Sequence, residues 1–339
     1  MTQRPLIQTT AEGLYCPAGD FHIDPWRPVE RAVTTHAHAD HARTGSAAYL
    51  CTAPGQHVLR PRLGPEAVIE TLPYRESKRI GDVTVSFHPA GHLLGSAQVR
   101  IERGGEVWVV SGDYKTVSDA TCDRFEPVPC DVFITESTFG LPVYRWPDQR
   151  LVFEEIDTWW RANRKDGRTS LLFVYALGKA QRVLSGIDTD AGPLAAHGAV
   201  RVCTDAYIEA GVALPALPAL DDLAPEDLGR SLVLAPPSAQ GSPWMRRFRQ
   251  PATGFVSGWM LLRGPRRRRS VERGFVLSDH ADWPGLLDAV AATGAERIGV
   301  THGSADAMAR WLREQGRESW TLPTRFEGES EQAGIGSPE

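Results

Sequence analysis

Three histidines and one aspartate fall within six residues of the chain, at His36, His38, Asp40 and His41. With ten histidines in 339 residues, three at these fixed offsets arise by chance with an expectation of roughly 0.009. Residues 31 to 35 are predicted to form a strand, so His36 and His38 can reach the same side of it. Asp40 and His41 follow at the predicted opening of a helix. The segment therefore predicts ligands for two metal ions, and imidazole with carboxylate suits zinc and also manganese.

Further ligands are expected beyond the ends of later strands. His92 lies in a loop, residues 90 to 96, whose glycines let the backbone approach closely. Asp113 follows an apolar strand and is placed to bridge two ions, and His302 follows a second such strand. Asp24 either orients a metal-bound imidazole or forms a turn. The predicted ligands are His36, His38 and His92 for one ion, Asp40, His41 and His302 for the other, and Asp113 for both.

Two ions of this kind suit phosphodiester hydrolysis. Roughly 3.5–4 Å apart, they polarise a phosphoryl oxygen, generate hydroxide at neutral pH and stabilise in-line displacement. The leaving alkoxide needs a proton, which His280 is predicted to supply as a general acid. Glu136 ends a strand and is predicted to hold that imidazole protonated and oriented. The expected catalytic residues are His280, Glu136, Asp40 and Asp24.

Basic residues are the candidates for contacts with substrate phosphate. Lys115 follows Asp113 closely, and Lys179 and Arg182 stand at a predicted helix N-terminus, which suits phosphate but is equally explained by packing and solvation. The net charge is −5, yet arginines recur at positions 246, 247, 249, 263, 266 to 269 and 273. These form either a track for a nucleic-acid backbone or a solvated loop.

The elements that position these residues change in character near residue 141. Before it, residues 83 to 110 alternate as a β-meander and 132 to 135 form a further strand. After it come an amphipathic helix at 148 to 164, a buried strand at 171 to 175 and a helix from 178. Strands at 275 to 277 and 297 to 301 then alternate with helices at 283 to 293 and 305 to 315. We expect these two strands to be parallel neighbours, with His280 and His302 beyond their carboxyl ends.

The composition, 42% hydrophobic and 23% charged, is that of a globular enzyme. Its 339 residues allow two domain-sized cores or one domain with a large insertion. No apolar run approaches the ~20 residues of a membrane span, and residues 1 to 10 lack a signal peptide, so a cytoplasmic protein without a membrane partner is expected. The five cysteines are scattered, which argues against disulfides and thiolate zinc sites. The four remaining histidines match no motif and are expected in surface or core roles: His22, His57, His88 and His197.

Taken in chain order, these motifs resemble those of the metallo-β-lactamase superfamily, specifically its β-CASP branch of nucleases. Residues 90 to 96, 136 to 140 and 278 to 282 are similar in sequence to motifs of that branch. The resemblance runs from about residue 24 to 316. The residues that carry it are Asp24 for the first motif, His36 to His41 for the second, His92 for the third, Asp113 for the fourth, and Glu136, His280 and His302 for motifs A, B and C.

The resemblance implies an α/β fold, an αββα metallo-β-lactamase sandwich with an inserted α/β β-CASP cassette. The sandwich would comprise residues 1 to 140 and 256 to 326, the cassette residues 141 to 255, and residues 327 to 339 would form a disordered acidic tail. The cofactors implied are two divalent metal ions, zinc or manganese. A lactamase, glyoxalase or lactonase would need neither Glu136, nor His280, nor the cassette.

The substrate implied is nucleic acid. Residues 20 to 29 and 111 to 115 resemble bacterial DNA-ligase-associated exonucleases more narrowly, which implies a DNA exonuclease in DNA repair with a functional link to a DNA ligase. His302 resembles RNA-acting members instead, so an RNA-processing nuclease, of the mRNA 3′-end-processing kind, is the alternative. A catalytically silent nucleic-acid-binding module is the second alternative, but such relatives have lost metal ligands that this chain retains.

Overall fold

The computed structural model describes residues 5–264 and 270–324, which divide into two compact units. The first unit comprises residues 5–145 and 280–324, and the second comprises 146–264 and 270–279. The predicted acidic tail and the arginines at 266 to 269 lie outside the described residues. None of the described helices is long and apolar enough to cross a membrane.

The first unit contains two sheets, with elements numbered along the whole chain. The first sheet has six strands in sequential order, β1 (Gln8–Thr10), β2 (Gly13–Cys16), β3 (Phe21–Ile23), β4 (Arg31–Val33), β5 (Ala48–Thr52) and β6 (Ile69–Leu72). The second has seven strands in the order β18 (Glu318–Thr321), β17 (Arg297–Thr301), β11 (Val132–Glu136), β10 (Glu106–Val110), β9 (Ala97–Arg103), β8 (Val83–Pro89) and β7 (Ser77–Ile80). The described helices of this unit are α1 (Gln56–Leu63), α6 (Trp283–Thr293) and α7 (Ala305–Glu314).

Alternating apolar residues explain how these sheets pack. One core joins the two sheets and includes Phe21, Val33, Val85, Val99 and Ile134. A second core covers residues of the seven-stranded sheet that point the other way, with α6 and α7 contributing Leu286, Met308 and Leu312. Residues two apart in a strand share a face, so β10 and β11 serve both cores. The polar loops at the strand ends are thereby held on a rigid double-sided sheet.

The second unit is built around a fully parallel sheet of five strands. Its order is β13 (Leu194–Ala196), β14 (Leu232–Ala235), β12 (Ser170–Phe173), β15 (Ala252–Val256) and β16 (Arg273–Phe275). Its described helices are α2 (Gln149–Lys165), α3 (Lys179–Gly186), α4 (Gly198–Glu209) and α5 (Pro225–Leu228), with 3₁₀ turns at Thr189–Ala191, Leu220–Asp222, Pro237–Ala239, Pro243–Arg247 and Gly258–Leu261. Both faces of the sheet are apolar, as expected of a buried parallel sheet.

The mixed α/β class and most predicted elements are confirmed, and the structure differs from three expectations. β16 and β17 are not neighbours, because β16 pairs with β15 in the second unit whereas β17 pairs with β11 and β18 in the first. The pairing of β16 also keeps residues up to Asp279 in the second unit, beyond the boundary predicted at 256. No helix opens at Asp40, since the N–H groups of His41 and Ala42 bond to the carbonyl oxygen of His38 in a turn.

Candidate metal centre

Four loops at strand ends of the first unit supply the predicted ligands. The loop after β4 carries His36, His38, Asp40 and His41, and the loops after β8, β10 and β17 carry His92, Asp113 and His302. His36, His41, His92 and Asp113 are each at most 5% exposed, so their polar atoms face one another rather than water. Gly112 allows this approach, because a Cβ there would lie 2.6 Å from Cβ of Thr35.

The ligand atoms form two groups. Those of His36, His38, His92 and Asp113 all lie within 4.8 Å of one another, and so do those of Asp40, His41 and His302. The two groups divide the predicted ligands as expected, except that Asp113 falls in the first group and not in the second. A small cavity of about 40 Å³ adjoins the second group and is lined in part by Asp24, Asp40, His41 and His302.

Asp113 stands where the two groups meet. Its Oδ2 lies 3.5 Å from Nε2 of His36, 3.4 Å from Nε2 of His41 and 4.0 Å from Nε2 of His92. Two atoms that each bind one tetrahedral zinc at 2.0–2.1 Å are roughly 3.3–3.4 Å apart, so these separations suit shared ions better than direct hydrogen bonds. Nε2 of His36, Nε2 of His41 and Nδ1 of His302 are buried with no hydrogen-bond partner among the described residues. Buried polar atoms are otherwise nearly always paired, so the donor set fits divalent metal ions.

Charge inside the centre is balanced by these same contacts. Burial acts to lower the pKa of His41, but the carboxylates of Asp113, Asp40 and Asp24 outweigh it and hold that pKa well above its ordinary value. Burial acts to raise the pKa of Asp113, but His41 and His280 hold it well below its usual range. Burial and the neighbouring His41 lower the pKa of His302, and burial lowers the pKa of His36 strongly. Asp113 is therefore an ionised carboxylate among imidazoles.

Asp24 contacts two of the predicted ligands, His41 directly and His36 through Thr35. Its Oδ2 lies 2.8 Å from Nδ1 of His41 and accepts from the hydroxyl of Thr35 at 2.5 Å, while its Oδ1 accepts the Thr35 N–H at 2.8 Å. The Thr35 hydroxyl in turn lies 3.0 Å from Nδ1 of His36. The carboxylate of Asp24 thus contacts one imidazole directly and a second through Thr35.

Glu136 and His280 form a buried pair beside the ligands. Nδ1 of His280 lies 2.9 Å and 3.0 Å from the two carboxylate oxygens of Glu136. The backbone N–H groups of Tyr114 and Thr138 donate to the same carboxylate at 2.8 Å and 3.3 Å. Ligand-type atoms of Asp113, Glu136 and His280 lie within 4.8 Å of one another, so the pair adjoins Asp113, one of the predicted metal ligands.

The predicted phosphate contacts are less favourably placed. Lys115 is only 3% exposed in the first unit. Lys179 and Arg182 lie in the first turn of α3 in the second unit, and both are fully buried. Nζ of Lys179 lies 3.0 Å from Oδ1 of Asp279. The burial of these three side chains does not support contacts with substrate phosphate, which stay a prediction.

Sequence reasoning missed Thr35 and Ser137. The hydroxyl of Thr35 contacts Asp24 and His36, and that of Ser137 contacts the backbone of the His302 loop. Both directly precede or follow a predicted site residue, and that adjacency was the available signal. A hydroxyl beside a ligand is nevertheless too common in sequences to be selected without its contacts.

The chain is similar to known proteins over different lengths. No protein-family profile matches the sequence. The chain is 32% identical over 328 residues, 96% of its length, to a "Probable DNA ligase" of Opitutus terrae, of which it covers 31%. It is 35% identical over 123 residues to "Endoribonuclease YSH1" of Yarrowia lipolytica and 31% identical over 122 residues to an "RNase J-like protein" of Methanocaldococcus jannaschii. These matches cover 35% and 34% of this chain.

The chain spans less than a third of each of these relatives, with 31%, 14% and 28% of their lengths matched. Among solved structures it resembles a protein of Enterococcus faecalis titled as being of unknown function, with a TM-score of 0.58 and 12% identity over 87% of this chain and 79% of that one. That likeness concerns the fold alone. The relatives named as nucleases support the metallo-β-lactamase and β-CASP superfamily.

Proposed function

We propose that this protein is a two-metal nuclease that hydrolyses phosphodiester bonds in nucleic acid, with DNA as the preferred substrate. The observation that carries the proposal is the position of Oδ2 of Asp113, 3.5 Å from Nε2 of His36 and 3.4 Å from Nε2 of His41. A bridging carboxylate between two buried imidazole groups is what a pair of ions in phosphodiester hydrolysis requires. The relatives named Endoribonuclease YSH1 and RNase J-like protein support nuclease activity.

The proposed ligands divide as the two groups do. His36, His38 and His92 would hold one ion, Asp40, His41 and His302 the other, with Asp113 shared. Zinc, or manganese, bound there would supply hydroxide at neutral pH and neutralise charge on the phosphoryl group. Asp24 would keep the imidazoles of His41 and His36 oriented through the contacts described above, a role that raises metal affinity.

His280 and Glu136 would serve the leaving group. Glu136 contacts Nδ1 of His280 with both oxygens, which fixes the ring and favours its protonated form. The other ring nitrogen, Nε2, would then deliver a proton to the leaving oxygen. Because burial strengthens an ion pair of this kind, the carboxylate also limits loss of that proton before the bond breaks.

We infer DNA as the substrate because the relative matched along nearly the whole chain is named "Probable DNA ligase". We propose accordingly that the protein trims DNA ends, as an exonuclease acting in repair alongside a DNA ligase in the cytoplasm. An RNA-processing nuclease is the second candidate, and the endoribonuclease names of the shorter matches favour it.

Matched labelled strands of DNA and RNA, each with a 5′-phosphate or a 5′-hydroxyl, test this proposal in the metal-loaded protein. DNA should be cleaved faster and shortened from an end, whereas a circular DNA of the same sequence should persist. RNA cleaved tenfold faster or more would establish the RNA-processing alternative.

Binding of these strands without any cleavage, by protein that holds two ions, would establish a silent binding module. Asp113→Ala is the matched negative control, since it should lose both activity and metal content. An Asp113→Ala protein with full activity would rule out the two-metal site.

A further inference from the structure

A serine beside Glu136 holds the loop that carries His302. β11 and β17 are parallel neighbours, with Glu136 opposite Thr301, so Ser137 and His302 leave the sheet side by side. The Ser137 hydroxyl has one proton, which it shares between the carbonyl oxygen of Thr301, at 3.1 Å, and that of His302. Its own carbonyl oxygen accepts the N–H of Ser304 at 2.9 Å. Contacts of one fully buried residue therefore reach Thr301, His302 and Ser304 of this loop.

The loop needs such restraint because its backbone conformation is unfavourable. His302 has a φ of 56° and Gly303 a φ of 60°, so two successive residues adopt the left-handed conformation, which a residue with a Cβ rarely adopts. A Cβ on Gly303 would lie 2.4 Å from the carbonyl oxygen of Ser137 and 2.5 Å from Cα of Thr138. The turn at His302 and Gly303 is therefore wrapped tightly around Ser137.

The same turn determines where the imidazole of His302 lies. The ring stacks on that of His41 with centroids 5.3 Å apart and an interplanar angle of 21°, and its Nε2 lies 3.4 Å from the Thr324 hydroxyl. Its Nδ1 is buried without a hydrogen-bond partner among the described residues. A relaxed backbone at His302 would rotate the Cα–Cβ bond and carry this nitrogen away from Asp40 and His41.

We propose that Ser137 is a positioning residue for the second metal ion, holding His302 in the backbone conformation that makes it a ligand. This inference rests on the proposed function, in which His302 binds that ion. Ser137 touches neither substrate nor metal, and its role is exerted through the carbonyl groups of Thr301 and His302. One residue then links the strand of Glu136 to the loop of a metal ligand.

Metal titration of the metal-free protein tests the proposal without relying on activity. Ser137→Ala removes the hydroxyl and keeps the backbone, so affinity for the second equivalent of zinc should fall about 10- to 100-fold while the first is unchanged. Thr138→Val is the matched control, because the buried Thr138 hydroxyl has no hydrogen-bond partner among the described residues and its loss should leave both affinities unchanged. Excess zinc should restore the activity of Ser137→Ala.

Gly303→Ala keeps the Ser137 hydroxyl but places a Cβ against the Ser137 backbone, so it should also disturb the His302 loop. It should produce the same selective loss of affinity for the second zinc. It also covers the case in which Ser137→Ala fails to fold. Equal weakening of both zinc sites together with a lower melting temperature would show a merely structural role and overturn the inference. So would unchanged affinity for the second zinc in either folded variant.

His302→Ala separates this inference from the proposed function. If His302→Ala weakens the second site and Ser137→Ala does not, the ligand set stands and the inference fails. If His302→Ala itself leaves the second zinc in place, the proposed ligand set is what fails.

Discussion

Nδ1 of His280 lies within 3.0 Å of both carboxylate oxygens of Glu136, and the two residues are each 1% exposed. The N–H groups of Tyr114 and Thr138 fix the carboxylate from the other side. Tyr114 directly follows Asp113, so the backbone that places the Asp113 carboxylate also holds Glu136, the partner of His280. In the proposed mechanism, one continuous segment of the first unit would therefore serve both proton delivery and metal binding.

His280→Ala should keep its metal ions and lose on the order of 10²–10⁴ in rate, the usual contribution of a general acid. A substrate with a good leaving group, such as a nitrophenyl phosphodiester, needs little protonation and should recover most of that loss. Steady-state rates on both substrates and metal content measure this. His57→Ala is the control, since it replaces another histidine of the first unit and should leave rate and metal unchanged. Loss of metal from His280→Ala would make His280 a ligand instead.

The contacts of Asp24 predict different losses for two substitutions. Asp24→Asn disturbs His41 directly and His36 through Thr35, so both zinc affinities should fall by about 10- to 100-fold. Thr35→Val removes only the hydroxyl that contacts Nδ1 of His36. It should therefore lower mainly the zinc affinity of the first site, to which His36 belongs. Titration against a competing chelator measures both affinities separately.

Thr34→Val is the matched control for Thr35→Val, because the buried hydroxyl of Thr34 has no hydrogen-bond partner among the described residues. Its zinc affinities should equal those of the wild type. Equal affinities in Thr35→Val as well would contradict the link from Asp24 to His36.

The clustering of these histidines and aspartates could be predicted from the sequence because most of their spacing is local. His36 to His41 are close enough along the chain for strand geometry to limit where each can point, and the turns at His92 and Asp113 follow recognisable strands. The crossover rule predicts that a strand–helix–strand unit within one sheet is right-handed, but it does not predict which sheet each strand joins. The expectation that β16 and β17 are neighbours was therefore wrong. The roles of Thr35 and Ser137 depend on contacts that no local pattern encodes, including one that joins residues 137 and 302.

Two exposed arginines of the second unit offer a test of nucleic-acid binding. Arg246 and Arg249 are exposed without an acidic partner among the described residues, whereas Arg247 lies 2.5 Å from Asp221. If both contact a single strand, Arg246→Gln with Arg249→Gln should reduce the slope of log affinity against log salt by about 1.4, or ~0.7 per phosphate. Arg247→Gln is the control and should change the slope less. An unchanged slope in the double variant would assign these arginines to a solvated loop.

His197 predicts a pH dependence of stability in the second unit. It caps α4, with Nδ1 accepting the N–H of Ala199 at 3.1 Å, and burial, aided by the charge of Arg247, lowers its pKa from 6.5. The folded state disfavours the charged ring of His197. Its contribution to the free energy of unfolding is therefore fully present above the pKa that the ring has in the unfolded state, and it is lost as pH falls through the pKa of the folded state. His197→Asn keeps a capping acceptor and cannot titrate, so its free energy of unfolding should fall less than that of the wild type between about pH 7.5 and pH 5. Equal falls would contradict the assignment.

Lys179 allows its two predicted roles to be separated. It is fully buried, its Nζ lies 3.0 Å from Oδ1 of Asp279 and 4.6 Å from the ring centroid of Tyr175. Lys179→Met would leave the Asp279 carboxylate buried without this cation, which typically costs about 3–5 kcal/mol of unfolding free energy. Chemical denaturation should show that loss, and Lys179→Met with Asp279→Leu should recover most of it, because an apolar pair can replace a buried ion pair. If Lys179 instead binds substrate phosphate, Lys179→Met should raise KM at unchanged stability, and the structural role would be wrong.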